Sequence, residues 1–121
     1  MLQHVAFAVN DPEEIKSFYE EVLLFVIKRI FSIDGKVSQK VFNVPGKTEV
    51  YVMSNYDAQF EIFITPKEER KVFSHVCLAY LDAEIVFNKA TIMGYKAIIR
   101  NGADHNTYFI WDKSGNMFEI K

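Results

Sequence analysis

The sequence predicts an α+β protein made of two copies of one βαβββ unit, and three observations predict it. Two strand-like runs each open on a histidine, His4-Val5-Ala6-Phe7-Ala8-Val9 and His75-Val76-Cys77-Leu78-Ala79-Tyr80. Each run leads through an aspartate, Asp11 or Asp82, into a helical stretch. Each half ends on the same tripeptide, Phe60-Glu61-Ile62 and Phe118-Glu119-Ile120. The offset is 71 residues from His4 to His75 and from Asp11 to Asp82, and 70 from Phe25 to Tyr95. From Glu61 to Glu119 it is 58, so the first copy carries the longer middle. One such unit would leave a sheet face bare, so two must pack together.

The elements follow in order. Residues 2–9 are rich in Val, Ala and Phe and read as a strand. Asp11-Pro12-Glu13-Glu14 is a helix start, with Asp as N-cap, Pro first in the helix and Glu three after the cap. Ile15, Phe18, Tyr19 and Val22 then line one helical face. Phe25 to Ile33 reads as a strand, Asp34-Gly35 as a hairpin turn and Lys36 to Phe42 as the return strand. Asn43-Val44-Pro45-Gly46 is a turn. Glu49 to Met53 and Phe60 to Thr65 complete the half, with Asn55-Tyr56-Asp57 turning between them.

The polar stretch Pro66-Lys67-Glu68-Glu69-Arg70-Lys71 reads as a solvated hinge. It divides a single domain, residues 1–121, into module 1 (1–65) and module 2 (72–121). In the second module Phe73 to Tyr80 is a strand. Asp82 caps a helix whose buried face is Ala83, Val86, Phe87, Ala90 and Met93, and Gly94 stops it. Tyr95 to Arg100, Thr107 to Asp112 and Met117 to Ile120 are strands, with Ser114-Gly115-Asn116 turning before the last.

Composition narrows the function. The chain has 121 residues, half of them hydrophobic, and 14 basic against 16 acidic side chains, a net charge of −2. Nucleic acid and acidic membranes want a basic face, and none is visible. No apolar run is long enough to span a bilayer. Asp11, Glu13 and Glu14 follow the N-terminal apolar run too soon for a signal peptide. The lone Cys77 permits no intrachain disulfide. The expectation is a cytoplasmic protein whose partner is a small molecule.

Strand alternation gives the histidines a face. His4, Ala6 and Ala8 share one side of their strand, and His75, Cys77 and Ala79 share one side of theirs. Val5, Phe7 and Val9, and Val76, Leu78 and Tyr80, take the bulkier side, which should meet the helix. Small neighbours are poor core filling but suit a hollow. Glu61 and Glu119 stand opposite the Phe and Ile residues that flank them. A lone carboxylate in a concave interior is costly, and a divalent cation shared with imidazoles cancels that cost. His4, Glu61, His75 and Glu119 are therefore the candidate metal ligands.

On these residues, and on Asp112-Lys113-Ser114-Gly115-Asn116-Met117-Phe118-Glu119, the whole chain resembles the glyoxalase I / vicinal oxygen chelate superfamily. That stretch is similar to the family's Asp-Pro-x-Gly-x-x-x-Glu ending, with Lys113 in place of Pro. The resemblance implies βαβββ modules paired into an open eight-stranded cup-like sheet around a divalent metal. The implied metal is nickel, cobalt or zinc, with manganese or iron as further candidates. It also implies a metal-dependent lyase or isomerase that moves a proton next to a carbonyl, with Glu61 and Glu119 as acid/base candidates as well as ligands. A homodimer is implied too, since modules in this family are often exchanged between chains.

The departures are specific. Glutathione-dependent members carry Arg four residues after the first His and Asn four after the first Glu; here Ala8 and Thr65 stand there. Leu24 occupies the place where a Gly usually ends the first helix. The chemistry is thus better supported than glutathione as carrier. Three rivals share the resemblance: a metal-free, bleomycin-resistance-type binding protein, a thiol transferase and an extradiol dioxygenase. The last would need two His and one Glu, and Glu61 argues against it. Cys77 reads as a small buried filler, His105 as an exposed loop residue, and Tyr51, Tyr56 and Tyr108 as packing residues.

Overall fold

In the computed structural model, which describes residues 1–66 and 73–121, eight strands form two four-stranded sheets. The first contains β1 (Val5–Val9), β2 (Val26–Ile33), β3 (Thr48–Asn55) and β4 (Ala58–Ile64), in the order β1-β4-β3-β2. The second contains β5 (Val76–Leu78), β6 (Ala97–Arg100), β7 (Thr107–Trp111) and β8 (Met117–Ile120), in the order β5-β8-β7-β6. In each sheet the first and last strands pair in parallel and the remaining pairs are antiparallel. The two sheets thus share one topology, and the fold is α+β with two βαβββ modules. The expected hinge from Lys67 onward lies outside the described residues.

The helices follow each first strand. α1 (Ile15–Glu20) is π-wound, and it continues with Leu23 N–H donating to the Phe18 carbonyl. Ile15, Phe18, Tyr19 and Val22 are all buried, as their spacing predicts. Asp11 accepts from Glu13 N–H and so starts this turn, but Glu14 does not reach back to the cap. Its side chain points inward instead, with only 1% of the residue exposed. In module 2, α3 (Ala83–Ile92) starts at Asp82, whose carboxylate accepts from Ile85 N–H. It stops at Gly94, where φ is 83°.

One predicted element is wrong. Lys36 to Phe42 is not a return strand but α2, an α-turn over Gly35–Val37 running into a π-wound turn over Ser38–Phe42. Asp34 signals a helix cap rather than a hairpin, because its carboxylate accepts from Val37 N–H at 2.8 Å. β2 pairs directly with β3, so module 1 has four strands and not the five read along its sequence, and the βαβββ unit stands.

The core lies between the sheets. Phe7, Phe60 and Phe118 meet across it, with ring centroids 5.0 Å (Phe7–Phe60), 5.3 Å (Phe7–Phe118) and 6.0 Å (Phe60–Phe118) apart. Phe18 and Tyr19 of α1 pack on the same group. Burying each such ring contributes about 2–3 kcal/mol.

Leu24 adopts φ 61°, a left-handed conformation that a side chain disfavours by about 1–2 kcal/mol. Its side chain is more than half exposed, so little packing offsets that cost. Leu24→Gly should therefore stabilise the fold by about 1 kcal/mol in urea denaturation. A loss of stability would mean that the Leu24 side chain packs more favourably than its exposure implies.

Candidate metal centre

The four candidate ligands come together as two pairs. In module 1, β1 and β4 run parallel with Ala6 beside Glu61, which places His4 on the same face. His4 Nε2 lies 3.6 Å from Glu61 Oε2. In module 2, Cys77 stands beside Glu119, and His75 Nε2 lies 3.2 Å from Glu119 Oε2. All four side chains are partly exposed, from 16% for Glu119 to 41% for His4. Each histidine precedes an edge strand of its sheet.

The two pairs do not meet within one chain. Phe60 and Phe118 face each other across the core, so their neighbours Glu61 and Glu119 point to opposite outer faces. Among the described residues, no three of the His, Cys, Asp and Glu side chains lie close enough to hold a metal ion.

The module 2 pair has metal-site chemistry nonetheless. His75 Nδ1 sits 2.8 Å from the Phe73 carbonyl oxygen, while Nε2 faces the Glu119 carboxylate. Both partners are acceptors, and a neutral imidazole has a single N–H. If Nδ1–H donates to the carbonyl, the Nε2 lone pair meets a carboxylate, and either a metal ion between them or a second ring proton satisfies both. Metal-bound histidines are typically oriented by such a bond from the other ring nitrogen.

Glu119 also pairs with Lys121, whose Nζ is 3.2 Å from Oε1. Partial burial raises the Glu119 carboxyl, but hydrogen bonds and charge from Lys121 and His75 outweigh it and hold it below the usual range. The ion pair therefore stabilises the chain above the unfolded carboxyl range and is lost as pH falls through the lowered one.

Cys77 is exposed, not buried, on the face of His75 and Glu119. Alternation forces this, since Val76 and Leu78 take the inner side. Partial burial and the Glu119 charge raise its thiol despite Lys121, which disfavours the reactive thiolate. Tyr56 is not a packing residue either: it is fully exposed at φ 51°, where the β3–β4 turn requires a left-handed residue. Tyr51 and Tyr108 are partly buried against the core, and His105 is an exposed loop residue remote from both pairs.

Two hollows border these faces. One of about 280 Å³ lies on the His4 side of sheet 1, lined by Ala6, Ala8, Ile33, Phe42, Phe63 and Thr65. It is apolar, as the small strand residues predict. A larger one, about 760 Å³, lies at the module junction and is lined by Leu24, Tyr56, Tyr80 and Ile85. Neither hollow is lined by any of the four candidate ligands; the larger includes Cys77, and the smaller includes Ala6 and Ala8, which share the face of His4.

Sequence reading missed the buried network behind these faces. Glu14 accepts from the Tyr95 hydroxyl and from Lys113 N–H at 2.7 Å. Asp112 accepts from the Tyr19 hydroxyl, from Ser114 and Asn116 N–H and from the Asn116 amide. Asn116 in turn donates to the Ala8 carbonyl, which ties the β7–β8 turn to β1. Burial first, then these carboxylates, raise the Tyr19 and Tyr95 hydroxyls well above their ordinary range. The available signal was the Asp112-to-Glu119 stretch, which read as a family-like ending and not as a clasp.

The sequence profile of the Glyoxalase/Bleomycin resistance protein/Dioxygenase superfamily matches residues 1–120. The chain belongs to this superfamily. No curated protein sequence matches it significantly. Among solved structures, a glyoxalase family protein from Bacillus cereus superposes with a TM-score of 0.77 at 13% identity, covering 98% of this chain and 91% of that one. The fosfomycin resistance protein FosX from Mesorhizobium loti superposes at 0.72 with 17% identity, covering 99% and 89%. A mutant FosX from Listeria monocytogenes, complexed with Mn(II) and 1S,2S-dihydroxypropylphosphonic acid, superposes at 0.75 with 13% identity, covering 99% and 90%. At these identities the likeness establishes the shared fold. No helix among the described residues is long and apolar enough to cross a membrane.

Proposed function

We propose that this glyoxalase-superfamily chain is a metal-dependent lyase or isomerase whose site is completed by a second copy of itself. One observation carries the reading: two His–Glu pairs with the same strand geometry diverge onto separate sheet edges. A two-fold dimer that joins those edges brings His4 and Glu61 to the partner's His75 and the partner's Glu119. Two imidazoles and two carboxylates suit nickel, cobalt or zinc, and also manganese or iron. The Mn(II) complex of FosX supports a divalent metal on this fold.

A metal bound there supplies Lewis-acid polarisation of a substrate carbonyl. The chain's own residues do the rest. The Nδ1–H bond to the Phe73 carbonyl orients the His75 ring. Glu61 and Glu119 hold or move the proton next to that carbonyl. The apolar hollow lined by Ala6 and Ala8, on the strand face that His4 shares, takes the non-reacting part of a small substrate. Ala8 and Thr65 offer no clamp for the glutathione carboxylates, so the substrate is a small α-oxygenated carbonyl compound. Such a substrate, and the single unbridged cysteine, fit a cytoplasmic homodimer.

A second reading has an observation in its favour. His75, Glu119 and Lys121 already satisfy one another as an ion-paired set, as a metal-free binding protein would have them. Elemental analysis separates the two. The protein is loaded with nickel, cobalt, zinc and manganese, desalted, and compared with Glu61→Gln and His75→Ala. About one metal per chain, lost in both variants, is the expected result. A parent that retains none leaves the binding protein as the better reading.

A further inference from the structure

The two halves of the proposed site differ at one position. Lys121 follows Glu119 by two residues, and Phe63 follows Glu61 by two, at the same offset of 58 as the glutamates. Lys121 is locked in register: its N–H donates to the Leu78 carbonyl and its carbonyl accepts from Tyr80 N–H. Two residues apart on an extended strand, Glu119 and Lys121 share a face, and Nζ reaches Glu119 Oε1 at 3.2 Å. Glu119 thus has one oxygen on His75 and the other on Lys121. Among the described residues Glu61 has no lysine or arginine partner. Phe63 instead packs on Phe42, with centroids 5.4 Å apart, at the wall of the apolar hollow.

We infer that Lys121 is a positioning residue that competes with the metal for Glu119 and makes the two carboxylates of the site unequal. The inference rests on the proposed shared metal site and deepens it. A metal that takes Glu119 must displace the Lys121 ammonium from Oε1 or bind with that positive charge beside it. Either event weakens binding. Glu119 is pinned and charge-balanced before loading; among the described residues Glu61 is held by its histidine alone. The displaced ammonium remains tethered to β8, so it returns whenever the metal leaves.

The test is zinc affinity by competition with a chromophoric chelator, on parent, Lys121→Met, Lys121→Arg and Phe63→Lys chains. Lys121→Met keeps the stem and removes the charge, so zinc should bind about two- to fivefold tighter. Its affinity should also depend less on ionic strength. Lys121→Arg should restore parent affinity. Phe63→Lys should build the same competition at Glu61 and weaken zinc binding by a similar factor. A merely structural Lys121 would give a Met variant that binds zinc equally or more weakly. That result, in a parent that does load zinc, overturns this inference and leaves the shared site standing. A parent that never takes up zinc removes the shared site, and the competition at Lys121 goes with it.

Discussion

Purified mixed dimers of a His4→Ala chain and a His75→Ala chain should recover metal that neither homodimer holds. Each dimer has two sites if His4 and Glu61 of one chain face the partner's His75 and the partner's Glu119. In the mixed dimer one site loses both histidines and the other keeps all four ligands. About one metal per two chains is therefore expected, against about none for either homodimer. Separate affinity tags allow the mixed species to be isolated before elemental analysis. The geometry behind this expectation is the divergence of Glu61 and Glu119 across the Phe60–Phe118 contact. A site assembled inside one chain would leave the mixed dimer as empty as its parents, because every chain would lack one ligand. That result would sink the shared-site model while leaving open a metal held by some rearranged single chain.

Asp112→Ala should be among the most damaging single substitutions, at about 3–5 kcal/mol of unfolding free energy. Asp112 is 5% exposed and accepts four hydrogen bonds: from the Tyr19 hydroxyl at 2.8 Å, Ser114 N–H at 2.9 Å, Asn116 N–H at 2.8 Å and Asn116 Nδ2 at 2.7 Å. Truncation strands a fully buried tyrosine hydroxyl and two backbone N–H groups, and it frees Asn116 from its hold on the Ala8 carbonyl. Urea denaturation of the variant measures the loss. Tyr19→Phe, which removes one of those bonds together with its donor, should cost only about 1–1.5 kcal/mol. An Asp112→Ala loss below that of Tyr19→Phe would mean that water replaces the carboxylate, and the network would then be peripheral to stability. The loss should also carry into metal binding, because the same turn sets β8 and with it Glu119.

The repeat made most of the fold legible. A strand opening on His4 or His75, an Asp-capped helix and a closing Phe-Glu-Ile are local patterns, and local patterns survive as propensity and alternation. The faces were legible for the same reason: Phe60 and Phe118 turn inward because their neighbours Glu61 and Glu119 cannot, and Phe7 turns inward because alternation puts it opposite His4, Ala6 and Ala8. Asp34-Gly35 failed as a hairpin signal because an aspartate serves a helix cap as well as a turn, and only the pairing of β2 with β3 decides between them. Cys77 was misjudged on its residue type, although its strand position alone put it outside.

The sequence by itself determined two copies of one unit, the strand that carries or directly follows each candidate ligand and the face on which that ligand stands. These depend on periodicity and on residues a few positions apart. Only the tertiary structure decided which ligands meet. His4 finds Glu61 and His75 finds Glu119 because first and last strands pair in parallel within a module. The two pairs part because the aromatic faces pack against each other and force the polar faces outward. The Glu14–Tyr95 contact, which spans 81 residues, and the hold of Lys121 on Glu119 likewise belong to packing. Separation along the chain says nothing about which polar groups are left facing each other once the apolar surfaces have been buried.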